Sequence, residues 1–145
     1  MKILIGADHG GVKLKGQIIQ YLSSRGHEVA NMGVDTEDSV HYPDIAVSAC
    51  TEFLSGGYQF GILICGTGIG VSITANKISG IRCANLCSTY AARMAKAHNN
   101  ANFISFGGRM RYAEPVAAMI DSYMEADFEG GRHQIRVDKI NALDR

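Results

Sequence analysis

Short apolar runs alternate with longer amphipathic stretches along the whole chain, and few folds accept that order. Lys2–Ala7 reads as a buried strand, and Val12–Arg25 as a helix with Leu14, Ile18, Ile19 and Leu22 on one face and Gly26 as its stop. His27–Met32 is a weaker second strand. Pro43 opens a helix carrying Ile45, Ala46, Ala49, Phe53 and Leu54, closed by Gly56-Gly57. Phe60–Cys65 is a third strand, followed by a glycine-rich turn and a helix over Val71–Ile78. Arg82–Leu86 is a fourth, and Ser88 or Thr89 can cap the helix Tyr90–His98. Phe103–Phe106 is the fifth, with Ala113–Glu125 behind it, and a last helix over about Gln134–Leu143 follows the turn Glu129-Gly130-Gly131. Five β–α units predict an α/β protein. The expected form is a single-domain three-layer α/β/α sandwich over residues 1–145, with a five-stranded parallel Rossmann-like sheet and a C-terminal helix. Right-handed crossovers favour a doubly wound arrangement.

Fourteen basic residues balance fourteen acidic ones in 145 residues, so no overall field draws the chain to nucleic acid or an anionic membrane. Any anion must be held by local clusters. No apolar stretch approaches the ~20 residues of a membrane span, and the N-terminal run is too short for a signal peptide. The four cysteines form no C-x-x-C pair, and no Cys/His spacing suits zinc. Cytoplasmic localisation with reduced thiols is therefore expected, with Cys50, Cys83 and Cys87 as small buried hydrophobes.

In parallel sheets of this kind, ligands bind beyond the carboxyl ends of the strands. Asp8-His9, Cys65–Gly70 and Gly107-Gly108-Arg109 all fall there. Cys65-Gly66-Thr67-Gly68-Ile69-Gly70 joins a strand to a helix, so its backbone N–H groups can hold an anion beside a thiol, where a thiolate is stabilised. A dinucleotide fingerprint needs G-x-G-x-x-G, and here the third glycine comes one residue early. A smaller anion fits better, either a phosphate or the enediolate oxygen of a reacting sugar, with the Thr67 hydroxyl as a further donor. Cys65 can serve as nucleophile or as general base, and both His9 and His98 are candidate partners.

Asp8 can be a buried cap, or can hydrogen-bond a polyol. Arg109, Arg132 and Arg136 form a basic set, the last two four residues apart and suited to a phosphate fork. His98-Asn99-Asn100 ends a helix, so its reach to the site has to come from elsewhere, such as a partner subunit. His27 and His41 lack such context and read as surface or loop residues.

Together, Asp8-His9-Gly10-Gly11, Cys65–Gly70, His98-Asn99-Asn100 and Gly131-Arg132-His133-Gln134-Ile135-Arg136 resemble the ribose-5-phosphate isomerase B family of sugar-phosphate isomerases, in order and over essentially the whole chain. The resemblance implies interconversion of ribose 5-phosphate and ribulose 5-phosphate with no cofactor and no metal. It implies Cys65 as the base between C1 and C2, and Thr67 with the backbone of Gly66, Gly68, Ile69 and Gly70 around the enediolate. His98 would assist ring opening, helped by Asp8. His9, Arg132 and Arg136, with Arg109, would hold the phosphate. Asn99 would bind sugar hydroxyls, and Tyr42 would line the pocket. It also implies a homodimer or tetramer whose sites are shared between subunits, with a small sugar phosphate as ligand. Six-carbon substrates such as allose 6-phosphate or galactose 6-phosphate remain an alternative. So does a non-catalytic sugar-phosphate-binding module; a nucleotide-binding oxidoreductase is disfavoured by the early third glycine.

Overall fold

The computed structural model describes residues 1–144. Five strands, β1 (Lys2–Ala7), β2 (Glu28–Gly33), β3 (Phe60–Cys65), β4 (Cys83–Asn85) and β5 (Phe103–Gly107), form one parallel sheet in the order β2-β1-β3-β5-β4. The central strands carry the apolar runs: every residue of β3 and β5 is buried, Ser105 being the one polar side chain among them. The edge strands β2 and β4 are the mixed ones, half exposed along their length.

Alternation along the strands divides the core in two. Ile3, Ile5, Ala7, Ile62, Ile64, Ile104 and Phe106 point to the side covered by α1 (Val12–Ser24), α4 (Thr89–Ala97) and α5 (Val116–Met124). Leu4, Leu63, Cys65 and Phe103 point to the side covered by α2 (Tyr42–Leu54) and α3 (Ile69–Ala75). The sheet thus carries helices on both faces, as the β–α alternation predicts. α6 (Arg132–Asn141) ends the described fold. The strand order reverses direction after β1, so α1 leaves one face while α3 leaves the other. The crevice between the carboxyl ends of β1 and β3 is the natural ligand position.

Boundaries differ from the sequence reading for local reasons. α3 begins at Ile69, ahead of the expected Val71, because Gly68 takes a left-handed φ of 79° and turns the chain there. It stops at Ala75, since the Asn76 side chain bonds the N–H and C=O of Cys83 at 2.8 Å each and directs the chain into β4. α6 begins at Arg132 rather than Gln134, behind Gly130 and Gly131 at φ 66° and 55°. α5 begins only after Pro115, whose extended ψ of 138° cannot lie within a helix. Ser88 is the cap of α4, its Oγ accepting from the Ala91 N–H at 3.0 Å, while Thr89 donates its hydroxyl to Glu114 Oε2 at 2.6 Å.

Cys50 is buried as expected, and burial pushes its thiol up to about 12. Cys83, on the edge strand β4, is only half-buried rather than fully buried as expected, and desolvation of its thiol pushes it up to about 11. Cys87 is instead exposed, because it lies in the turn between β4 and α4 rather than on a packed face. No helix of the described residues is long and apolar enough to cross a membrane.

Candidate active site

Three loops meet above the carboxyl ends of β1, β3 and β5. Asp8 N–H donates to Ile64 O at 3.1 Å, Gly108 N–H to Cys65 O at 2.8 Å, and Arg109 N–H to Gly66 O at 3.0 Å. Glycines permit this lacing. A Cβ at Gly10 would lie 3.0 Å from Gly66 N, and one at Gly108 would run into Gly10 O. The backbones approach so closely that the three loops behave as one rigid rim.

Cys65 ends β3 at 5% exposure, and the Gly68 N–H points at its Sγ at 3.1 Å. That contact exists because left-handed Gly68 folds the loop back over the strand end; Ser105 Oγ, fully buried, donates to Gly68 O at 3.0 Å and fixes it there. Thr67 Oγ1 accepts from Ile69 N–H at 3.2 Å, which leaves its own O–H free to donate outward from an exposed position. Tyr42, at the start of α2, packs its ring on Gly70, where a Cβ would lie 2.6 Å from the ring carbons. The sulfur therefore has an N–H on one side and an aromatic wall near the loop.

Asp8 is the cap of a short 3-10 turn over His9–Gly11, its Oδ1 accepting from Gly10 N–H at 2.8 Å. One carboxylate oxygen is spent on the turn. His9 Nδ1 accepts from the Val40 N–H at 3.2 Å, so in the neutral ring the proton is on Nε2 and that nitrogen is the one left to donate. His9 lines a pocket of about 330 Å³ with Gly10, Lys13, Glu37, Gly108 and Arg109. Three nitrogen-bearing side chains against one carboxylate suit an anion the size of a phosphate. Asp8, His9, Tyr42, Gly66, Thr67, Gly68, Ile69, Gly70, Cys65 and Arg109 are thus gathered at one end of the sheet.

His98, Asn99, Arg132 and Arg136 are not with them. α4 runs antiparallel to the strands, and its last residues lie at the amino end of the sheet, where Arg82, just ahead of β4, donates to Asn99 O at 3.2 Å and Asn100 O at 2.8 Å. Asn100 closes the helix in the left-handed region at φ 44°. The six-residue length of β3 separates the two groups by roughly 20 Å at ~3.3 Å per residue. His98 stacks on His133 with ring centroids 4.1 Å apart, which brings the first turn of α6, with Arg132 and Arg136, to the same end. Arg109 consequently stands apart from the other two arginines within one chain, contrary to a single basic set.

Two features had no sequence signal, the roles of the α1 lysines and a cluster at the far end of the sheet. Lys15 is buried, and its ammonium donates to Met32 O at 3.0 Å and Val34 O at 2.6 Å and pairs with Asp35 at 2.9 Å. It anchors the segment that delivers the Val40 N–H to His9 and leads into Tyr42. Lys13 also joins the anion pocket, but its position on an amphipathic helix gives no hint of that.

The second feature lies at the other end. Glu129 Oε2 is 3.4 Å from His133 Nε2 and 3.8 Å from His98 Nε2. Burial, then the charges of His98 and Arg132, hold His133 below the ordinary imidazole range. Only the folded turn at Gly130-Gly131 brings these three together.

Residues 3–140 match the family model described as Ribose/Galactose Isomerase. The chain is 40% identical to ribose-5-phosphate isomerase B of Escherichia coli strain K12, over 99% of this chain and 97% of that one. It is also 40% identical to the D-erythrulose-4-phosphate isomerase of Pectobacterium atrosepticum, over 97% and 93%. The solved structure of Clostridium thermocellum ribose-5-phosphate isomerase B superimposes with a TM-score of 0.94 at 44% identity, covering 99% of this chain and 97% of that one. With a matching model over nearly the whole chain and relatives of this identity at full length, the chain belongs to the ribose/galactose isomerase family.

Proposed function

We propose that residues 1–145 act as a single isomerase domain that interconverts ribose 5-phosphate and ribulose 5-phosphate through an enediolate, without a cofactor. The observation that carries this reading is the Cys65 sulfur facing the Gly68 N–H beside a rim of loop N–H groups, next to a separate cationic pocket. Proton abstraction next to a carbonyl needs a base at carbon and donors at oxygen, and a remote phosphate anchor to hold the geometry.

In this mechanism His9 and Arg109 of one copy, with Arg132 and Arg136 of a second, hold the phosphate. His98 of the second copy moves the proton from the C1 hydroxyl to the ring oxygen as the furanose opens, assisted by Asp8. Cys65 as thiolate takes the proton from C2. The electron pair moves to the C1 carbonyl oxygen, and the backbone from Gly66 to Gly70 and the Thr67 hydroxyl stabilise the resulting enediolate. The C2 hydroxyl proton passes to the neighbouring C1 oxygen, and Cys65 returns its own proton to C1 as the C2 oxygen becomes the carbonyl. Asn99 binds sugar hydroxyls and Tyr42 walls the pocket. Atoms and charge balance without any external oxidant.

The roughly 20 Å between the two groups of residues supports assembly of each site from two copies, in a dimer or higher oligomer. Apolar Ile69 and Ile73 on α3 and Ile135 on α6 are more than half exposed, as an interface requires. Four free cysteines fit a reducing cytoplasm. Activity on another sugar phosphate is a second reading: one relative is named for the four-carbon erythrulose 4-phosphate, and the description of the family model includes the six-carbon galactose.

Comparing kcat/KM for ribose 5-phosphate, erythrulose 4-phosphate, allose 6-phosphate and galactose 6-phosphate decides between these. Cys65→Ala is expected to lower kcat by about 10³-fold or more, as loss of a general base does, while inorganic phosphate still binds. Near wild-type turnover in that variant would overturn Cys65 as base.

A further inference from the structure

His98, Glu129 and His133 present two imidazoles and a carboxylate whose candidate ligand atoms all lie within 4.8 Å of one another. A tetrahedral zinc site with bonds of ~2.0–2.1 Å places its ligand atoms about 3.4 Å apart. The pair His133 Nε2 and Glu129 Oε2 stands at 3.4 Å already, and His98 Nε2 and Glu129 Oε2 at 3.8 Å. The remaining adjustment falls on side chains free to make it: His98 and Glu129 are 36% and 55% exposed. The two rings are stacked 8° from parallel with centroids 4.1 Å apart, so their in-plane lone pairs do not converge as they stand. The more exposed His98 ring has to rotate out of the stack for both to reach one ion.

A second observation is independent of that spacing. His133 is 6% exposed, and its Nε2 has no hydrogen-bond partner among the described residues although it faces the Glu129 carboxylate. A buried imidazole nitrogen left unpaired is uncommon and calls for an explanation. A proton shared directly with Glu129 does not satisfy it, because the 3.4 Å contact fails as a hydrogen bond. A cation between the nitrogen and the carboxylate would satisfy both groups.

We propose that His98, Glu129 and His133 form a binding site for a borderline divalent transition metal, zinc being the type, which holds His98 out of reaction. Two imidazoles and one carboxylate are the ligands such ions select over magnesium or calcium, and water completes the coordination. A metal on His98 Nε2 occupies the lone pair that ring opening needs, so the bound ion inhibits reversibly. This consequence rests on the assignment of His98 to ring opening; the binding does not. Glu129 takes no part in the proposed isomerisation, so its replacement separates the two.

The test is calorimetric titration of the intact protein with ZnCl₂, with activity on ribose 5-phosphate followed in parallel and EDTA added at the end. Zinc is expected to bind at one equivalent per chain and to inhibit, with activity restored by EDTA. Glu129→Gln is expected to weaken zinc binding about a hundredfold, since loss of outer partners alone costs 10–100-fold, while activity without zinc is unchanged. The Co²⁺ form should show d–d bands without thiolate-to-metal charge transfer. Unchanged zinc affinity in Glu129→Gln, no binding to the wild type, or a thiolate band placing the ion on a cysteine each overturns the site. Zinc binding that Glu129→Gln abolishes, yet that leaves turnover untouched, upholds the site and overturns the role of His98.

Discussion

Replacing Gly68 by alanine tests the loop geometry that presents an N–H to Cys65. Gly68 sits at φ 79°, and an L side chain in the left-handed region costs about 1–2 kcal/mol. The new Cβ would also lie 2.7 Å from Phe106 C, 2.9 Å from Phe106 O and 2.7 Å from Asn85 Oδ1. Two of these are backbone atoms of a fully buried central strand that cannot move aside, so overpacking adds about 1–3 kcal/mol. The sum, about 2–5 kcal/mol, corresponds to a fall in Tm of roughly 6–20 °C for a chain of this size. Gly16→Ala makes the same chemical change where no atom lies within 4 Å of the Cβ, in the middle of α1. Removing a flexible residue from a helix there stabilises by roughly 0.5–1 kcal/mol. Differential scanning calorimetry of both variants reads the two signs in one experiment. A Gly68→Ala protein that melts within about 2 °C of wild type, below the smallest shift expected here, would refute the strained-turn argument.

Two further outcomes follow from the site. Hydrogen bonds from Lys15 and then Asn31 hold the Asp35 carboxyl below its ordinary 3.8, so the charged form favours the folded chain. That contribution is present above 3.8 and is lost as pH falls through the lower folded value. Urea melts between pH 7 and pH 3 should therefore show an acid-sensitive component that Asp35→Asn removes; an unchanged pH profile contradicts the pairing. Arg136→Ala should raise KM about 10–150-fold, as loss of a charge-assisted contact to phosphate does, whereas Arg25→Ala at the solvent-facing end of α1 should leave it unchanged. Equal KM values in steady-state assays would count against the fork.

The layer order and both covered faces were legible because period-2 and period-3.6 patterns are local, and Ile62, Leu63 and Ile64 report a doubly buried strand by composition alone. The glycine loop was legible for the same reason: Gly68 and Gly70 follow a strand directly. Contacts formed by distant segments were not. Nothing in the run Val12-Lys13-Leu14-Lys15 separates the buried Lys15, which ties down the segment before Tyr42, from its exposed neighbour Lys13. His98 and His133 likewise look unrelated until the turn at Gly130-Gly131 folds α6 back and stacks the rings. Exposure of Cys87 could not be foreseen either, since a short apolar run does not say where its strand ends.

The central claim is that one catalytic site takes Cys65 from one copy and His98 from another. Mixing inactive Cys65→Ala with inactive His98→Asn after joint unfolding and refolding tests it directly. In a symmetric dimer, random pairing puts half the chains in mixed dimers, each with one intact site, so about a quarter of wild-type activity should return. Activity no higher than that of the separate variants, with mixed dimers present, would mean that each site belongs to a single chain.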